Sequence, residues 1–259
     1  MLKSRIINIL VVCILLTISF SNSSYGLTKD EELLDLKNKI DKAYYSFDSN
    51  LLRKLLRTSF GYQKKYPDDW RPAYYSGILC FQIGKILYLP DPDKAYNYFD
   101  KSIDFLFKVK KSKYSAEIAA LISAAYGKKS SLSTIKAIYF GIKAREYIYE
   151  ANAMDSANVK VYLIAATHLM HTPESFGGDK KWAEELLNKA LKMIYKQINK
   201  DDNSVEWASE KEIYAYLAQL EILRENKDKA KLYIDKALAL CPDYGFVLYD
   251  LIPQLKKLD

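Results

Sequence analysis

Four stretches of the chain repeat one spacing of small and large residues: Ala95/Phe99/Ser102, Ala144/Ile148/Ala151, Ala183/Leu187/Ala190 and Ala230/Ile234/Ala237. Small residues seven apart lie on one face of a helix, two turns along, where they let another helix approach closely. The large residue between them fills the groove. A chain that makes this demand four times needs neighbouring helices to answer it. Elsewhere apolar residues also recur at helical spacing, as in Leu33, Leu34, Leu36, Ile40 and Ala43. Breakers interrupt them regularly, among them Asp48-Ser49-Asn50, Pro67-Asp68-Asp69, Pro90-Asp91-Pro92, Gly127 to Ser133, Pro173 to Asp179 and Pro242-Asp243. The pattern predicts about eleven helices, near 29–46, 50–65, 70–88, 92–109, 113–127, 133–154, 157–171, 180–198, 205–225, 227–240 and 244–258. Asp69, Ser112, Asp179 and Asp243 are the expected cap residues. With 9 Gly and 7 Pro in 259 residues, loops must be short. No alternating stretch is long enough for a sheet, so the expected class is all-α.

Upstream of the last repeat, Tyr214, Leu217 and Ala218 sit where a partner helix should offer an aromatic, a Leu and a small residue, and Pro242 follows Ala237 by five. The window Lys211–Tyr244 thus resembles a tetratricopeptide repeat, a 34-residue helical hairpin. That resemblance implies an all-α, right-handed superhelical solenoid of about five hairpins over 27–242, with 243–259 as a C-terminal capping helix. The first small residues are 49, 39 and 47 apart instead of 34. Tyr62, where a small residue belongs, makes the first hairpin degenerate. Tyr162-Leu163 through Pro173-Glu174-Ser175-Phe176-Gly177-Gly178-Asp179, then Ala183 and Ala190, resembles a P-x2-F-G-G variant hairpin of exported bacterial tetratricopeptide proteins with no assigned activity. The ending from Tyr216 to Tyr244, then Leu251-Ile252-Pro253, is similar to their final repeat and tail. The resemblance implies fold and export and carries over no catalytic residue. It places Glu212, Ala215, Gln219 and Ile222 on the concave face, with Lys160, Leu163, Thr167 and Met170 on the equivalent face before them. These eight are the candidate binding residues for a peptide or partner protein.

The first 26 residues read as a secretory signal. Lys3 and Arg5 precede an apolar run from Ile6 to Ile18, and Ser24 and Gly26 supply the small residues needed for cleavage after Gly26. The run is shorter than the ~20 residues of a bilayer span. The expected address is therefore the periplasm or the exterior, the alternative being retention by an uncleaved N-terminal anchor. Net charge is +7, two of it in the signal, and acidic and basic residues are interspersed. That pattern argues against nucleic acid. Cys80 and Cys241 remain after cleavage. A disulfide is open in an oxidising compartment, but two free thiols are favoured, because a solenoid keeps its first and last parts apart.

Phe176-Gly177-Gly178-Asp179 precedes a helix whose free N–H groups could hold an anion. The phosphate-loop Lys-Ser/Thr is absent, so the glycines read as turn residues and Asp179 as a cap. His168 and His171, both histidines of the chain, stand i, i+3 with Glu174 beyond. Neither H-E-x-x-H nor H-x-x-E-H is present, and a hydrogen-bonded pair fits better than zinc. Neither metal nor cofactor is expected, and nucleophilic catalysis has no motif. The 22 tyrosines suit a solenoid core with wet hydroxyls, or in part an aromatic groove. Three functions follow in order: a binding scaffold for a peptide or protein of the cell envelope, a solute-binding transport component with a pocket inside the solenoid, and an enzyme. The C-terminal stretch could instead be a partner- or membrane-docking tail, and Pro253 should kink it.

Overall fold

The computed structural model describes residues 27–194 and 203–258. The expected signal peptide and the expected end of the eighth helix at 198 lie outside them. Contacts divide the chain between Glu32 and Leu33. Of the first unit, 27–32 are described, and they open a helix through a reciprocal cap in which the Thr28 N–H and Glu31 carboxylate pair at 2.8 Å. The second unit, from Leu33 onward, carries all the helical hairpins.

Ten α-helices dominate the described residues: α1 Lys29–Tyr44, α2 Ser49–Lys65, α3 Arg71–Leu87, α4 Pro92–Lys110, α5 Ala116–Leu132, α6 Ala137–Met154, α7 Val159–His171, α8 Lys180–Ile194, α9 Glu210–Ile222 and α10 Lys227–Leu240. α3/α4, α5/α6, α7/α8 and α9/α10 pack as hairpins. Their division of labour follows from sequence. In α3 every residue from Pro72 to Gly84 is buried, and in α5 nearly all from Ala116 to Ala125, so these inner helices are apolar almost all round. The outer helices bury one stripe, and that stripe is the repeat. Eleven of its twelve residues, from Ala95 to Ala237, are at most 4% exposed, and Ile148 is 7% exposed. Ser102, the one polar member, donates to the Gly77 carbonyl at 2.8 Å.

Side-chain oxygens stop and start these helices. Asp48, Asp91, Ser115, Asn158, Asp179 and Asn226 each accept from a first-turn N–H, each cap contributing about 1 kcal/mol. Three expectations shift. Ser115, not Ser112, caps α5, since the loop runs three residues further. Asp69 stands one residue outside the N-cap position, which Trp70 occupies, but it still accepts the first N–H of α3, that of Arg71, and holds the Arg71 guanidinium at 2.6 Å. The break expected from Gly127 is absent, and α5 continues through Gly127 to Leu132.

Residues 205–209, expected to be helical, are not. α9 begins at Glu210, and Asn203–Ser209 is an irregular strap with Ala208 at φ +58. The C-terminal stretch is also irregular. A π turn at Val247–Leu251 leads into one α turn at Ile252–Leu255 and a 3-10 turn at Lys256–Leu258. Pro253 explains the widening: it has no N–H to give, and its ring would crowd the carbonyl four residues back in a regular helix.

The first and last parts of the unit meet. Tyr45 packs edge-on against Tyr244 at 5.0 Å, the Gly245 N–H donates to the Tyr45 carbonyl at 2.9 Å, and Phe47 lies on Phe246. Cys80 and Cys241 are free thiols. Separation of the two ends is not the reason, because the ends touch. Cys80 is fully buried on α3, where burial pushes its thiol up to about 12.

Candidate functional site

The first turns of the inner helices form one rim of the concave face, and the strap lies across it. Glu117, in the first turn of α5, is its anchor. Its carboxylate meets Lys160 of α7 at 2.7 Å, accepts from the Trp207 indole at 2.8 Å and the Ser204 hydroxyl at 2.8 Å, and accepts from the Tyr74 hydroxyl. Burial alone would raise the Glu117 pKa. Lys160, with Tyr74 and Trp207, outweighs it and holds the carboxyl below its ordinary value. Backbone groups of the strap are read too. Tyr74 accepts the Val205 N–H at 3.1 Å, Lys160 donates to the Val205 carbonyl at 3.3 Å, and Tyr75 donates to the Asn203 carbonyl at 3.3 Å. Asp41 of α1 accepts the Glu206 N–H, and Glu212 of α9 accepts that of Ala208, both at 2.8 Å. Val205 and Trp207 are buried.

The C-terminal ends of the inner helices carry Lys85, Lys128, His168 and His171. The two lysines complement the helix dipoles. Lys85 is buried, 3.7 Å from Glu212, and faces the Phe246 ring. Burial pulls its pKa down, but Tyr216 and Glu212 more than restore it. Lys85 and Lys128 line a cleft of about 330 Å³ with Phe47, Tyr88, Phe246 and Tyr249 as walls and Asp250 beside them. Burial and the charge of Lys85 pull Lys128 down to about 8, with Asp250 offsetting this only in part.

The eight candidate binding residues divide by whether they hold the strap. Lys160 and Glu212 hold the strap. Leu163, Met170, Ala215 and Ile222 are buried, as is Glu212. Thr167 is half-buried and donates to the Ile164 carbonyl, while Gln219 meets His171 at 3.3 Å. Thr167 and Gln219 are therefore the half-buried members of the face that hold no strap.

The histidines do not bond to each other. The single proton of the Ser123 hydroxyl goes to the Ala144 carbonyl at 2.6 Å, so His168 Nε2 must donate to that hydroxyl at 2.7 Å. Burial, then the His171 and Lys128 charges, pull His168 down to about 4. Burial and Lys128 do the same to His171. Both are neutral at pH 7. Among the described residues no group of three His, Cys, Asp or Glu is placed to hold a metal. None of the described helices is long and apolar enough to cross a membrane.

Sequence reasoning passed over Glu117 and the strap, and saw Tyr74 only as one of many clustered tyrosines. An acid in a first helical turn is what any helix favours, and nothing local marks it as a hub.

No protein-family model and no curated protein matches the chain. Solved structures do. The HusA haemophore from Porphyromonas gingivalis superposes with a TM-score of 0.61 at 17% identity, over 82% of this chain and 96% of that one. TTC0263, a thermophilic tetratricopeptide protein of Thermus thermophilus, gives 0.58 at 13% identity, over 88% and 100%. At such identities the likeness is one of fold. The chain has the fold of a tetratricopeptide-repeat-like helical solenoid.

Proposed function

We propose that this protein is an exported, non-catalytic scaffold that binds a peptide or a partner protein along its concave face in the cell envelope. One observation carries the reading. The groove already binds an irregular peptide segment, its own strap, by a charged hub on α5 and by strap backbone N–H and C=O groups held by three inner helices, α3, α7 and α9, and by α1. Recognition through backbone groups tolerates many sequences, as a partner-binding groove requires. Thr167 and Gln219 extend that surface toward the C-terminal ends of α7 and α9. Export rests on the N-terminal sequence, and the neutral histidine pair offers no general base tuned to pH 7.

The test supplies the strap in trans. Replacing Ser204-Val205-Glu206-Trp207 by Gly-Ser-Gly-Ser empties the rim. A capped synthetic peptide spanning 203–208 is then titrated in while the melting temperature is followed. Saturable binding that restores the melt, and that Glu117→Gln abolishes, is the expected result. No uptake by the emptied groove sinks the reading. Intact mass of the protein recovered from its native host tests export, which requires removal of residues 1–26.

A further inference from the structure

The strap leaves the cleft of Lys85 and Lys128 unused, and the geometry points to a second site there: a pocket for a small organic anion, a carboxylate on an apolar body the size of a ring or branched alkyl group, with Lys128 as its cation. This goes beyond the peptide groove and does not depend on it.

Of Lys128, its cleft neighbour Lys85 and its chain neighbour Lys129, two are already neutralised. Lys85 pairs with Glu212, and Lys129 pairs with Asp100 while lying against Phe140. Among the described residues Lys128 forms no ion pair; its Nζ lies 5.0 Å from the Tyr88 ring centre. The acid of the cleft, Asp250, accepts from Gln254 at 2.6 Å and does not reach ion-pair distance of Lys128. Lys128 is thus the cation of the cleft with no carboxylate in ion-pair contact among the described residues, Asp250 acting on it only from a distance. Its walls are apolar, and at its mouth Leu89 is 68% and Tyr249 70% exposed. Water satisfies the ammonium but not Phe47, Phe246 and Tyr249. A hydrocarbon would satisfy the walls but strand the charge. One ligand chemistry serves both: a single carboxylate joined to a compact apolar body. A volume near 330 Å³ is at the small end of the roughly 300–1,000 Å³ of ligand pockets, which suits such a body.

The experiment is calorimetric titration of the full chain at pH 7 with 3-phenylpropanoate, 4-methylpentanoate and indole-3-acetate, each beside its neutral amide. At least one acid should bind with a Kd below about 1 mM and its amide about tenfold more weakly. Lys128→Met should cost about tenfold in acid affinity, and Lys128→Arg should keep most of it. Lys128 forms no ion pair among the described residues and its charge is disfavoured by burial, so Lys128→Met should not lower the melting temperature, which is checked in parallel for both variants. Lys85 and Asp250 are the charged groups facing Lys128, and the Lys85 pKa is raised, so that lysine keeps its proton across pH 7 to 9. The histidines stay neutral there. Acid affinity should therefore fall across that window as Lys128 loses its proton. Equal binding of acid and amide, no binding of any acid, or indifference to Lys128→Met overturns the site. If a peptide ending in a free carboxylate, N-acetyl-Gly-Gly-Phe, displaces every acid far more strongly than its own size explains, the pocket belongs to chain termini and the small-molecule assignment fails. None of these outcomes touches the strap experiment, so the two readings stand or fall separately.

Discussion

Glu117→Ala lowers the unfolding free energy by about 3 kcal/mol, measured by urea denaturation at pH 7, and exposes Trp207. The magnitude is that of removing one partner from a buried ion pair, which leaves the other charge uncompensated. Here the stranded group is Lys160, whose side chain is 17% exposed. The Trp207 indole, the Ser204 hydroxyl and the Tyr74 hydroxyl lose their acceptor at the same time. The emission of Trp207, buried beside Lys160, should shift to the red. The same carboxylate sets a pH dependence. Its folded pKa is lowered, so the stability it contributes is present above the unfolded value of 4.5 and is lost as pH falls through the folded value. Wild type should lose stability on acidification across that interval more steeply than Glu117→Gln. Identical acid profiles, or an unchanged urea midpoint for Glu117→Ala, would show that the strap is held by other means.

Gly178→Ala should destabilise by about 3 kcal/mol or more, while its neighbour Gly177→Ala costs about 1–2 kcal/mol. The two glycines look alike in the sequence and answer different demands. Gly177 ends a 3-10 turn at φ +91 with open space around it, so a methyl group there pays only for the left-handed backbone. At Gly178 the turn folds back onto the end of α7. Its N–H reaches the Pro173 carbonyl, and the next N–H reaches that of Leu169. A Cβ at Gly178 would sit 1.8 Å from the Thr172 carbonyl oxygen, a backbone atom that cannot swing aside. Thermal melts of the two variants separate the causes. Equal melting temperatures would mean that the loop relaxes as a whole.

The hairpins were legible because the demand that makes them is local. Ala183, Leu187 and Ala190 state within eight residues which face of a helix must be approached, and all three are fully buried. The strap was not legible for the opposite reason. Val205, Trp207 and the apolar residues after them mimic the start of an amphipathic helix, and what pulls them out of helix lies far off in the chain, at Tyr74, Glu117 and Lys160. A one-dimensional pattern holds no sign of partners that distant. The candidate binding residues show the same limit. Matching a repeat nominated a face on α7 and α9, but nothing in it shows that the strap holds Lys160 and Glu212 and leaves Thr167 and Gln219 without strap contacts. Lys128 reads as an ordinary basic residue toward the end of a helix. Only the absence of a carboxylate within reach, a three-dimensional fact, sets it apart from Lys129 beside it.

The meeting of Tyr45 and Tyr244 changes the mechanics of the molecule. A stack of repeats held only by nearest neighbours behaves as a spring: its pitch breathes, it can fray from either end, and evolution can lengthen it by duplicating a unit. Joining the ends removes that compliance. Inserting a further hairpin would pull Gly245 away from the Tyr45 carbonyl, so the number of repeats is fixed by the closure. Contacts between residues some 200 apart also delay folding until the whole chain is in place, which favours all-or-none assembly. For anything that docks on the inner face the benefit is a width set in advance, with little ordering left to be done on binding.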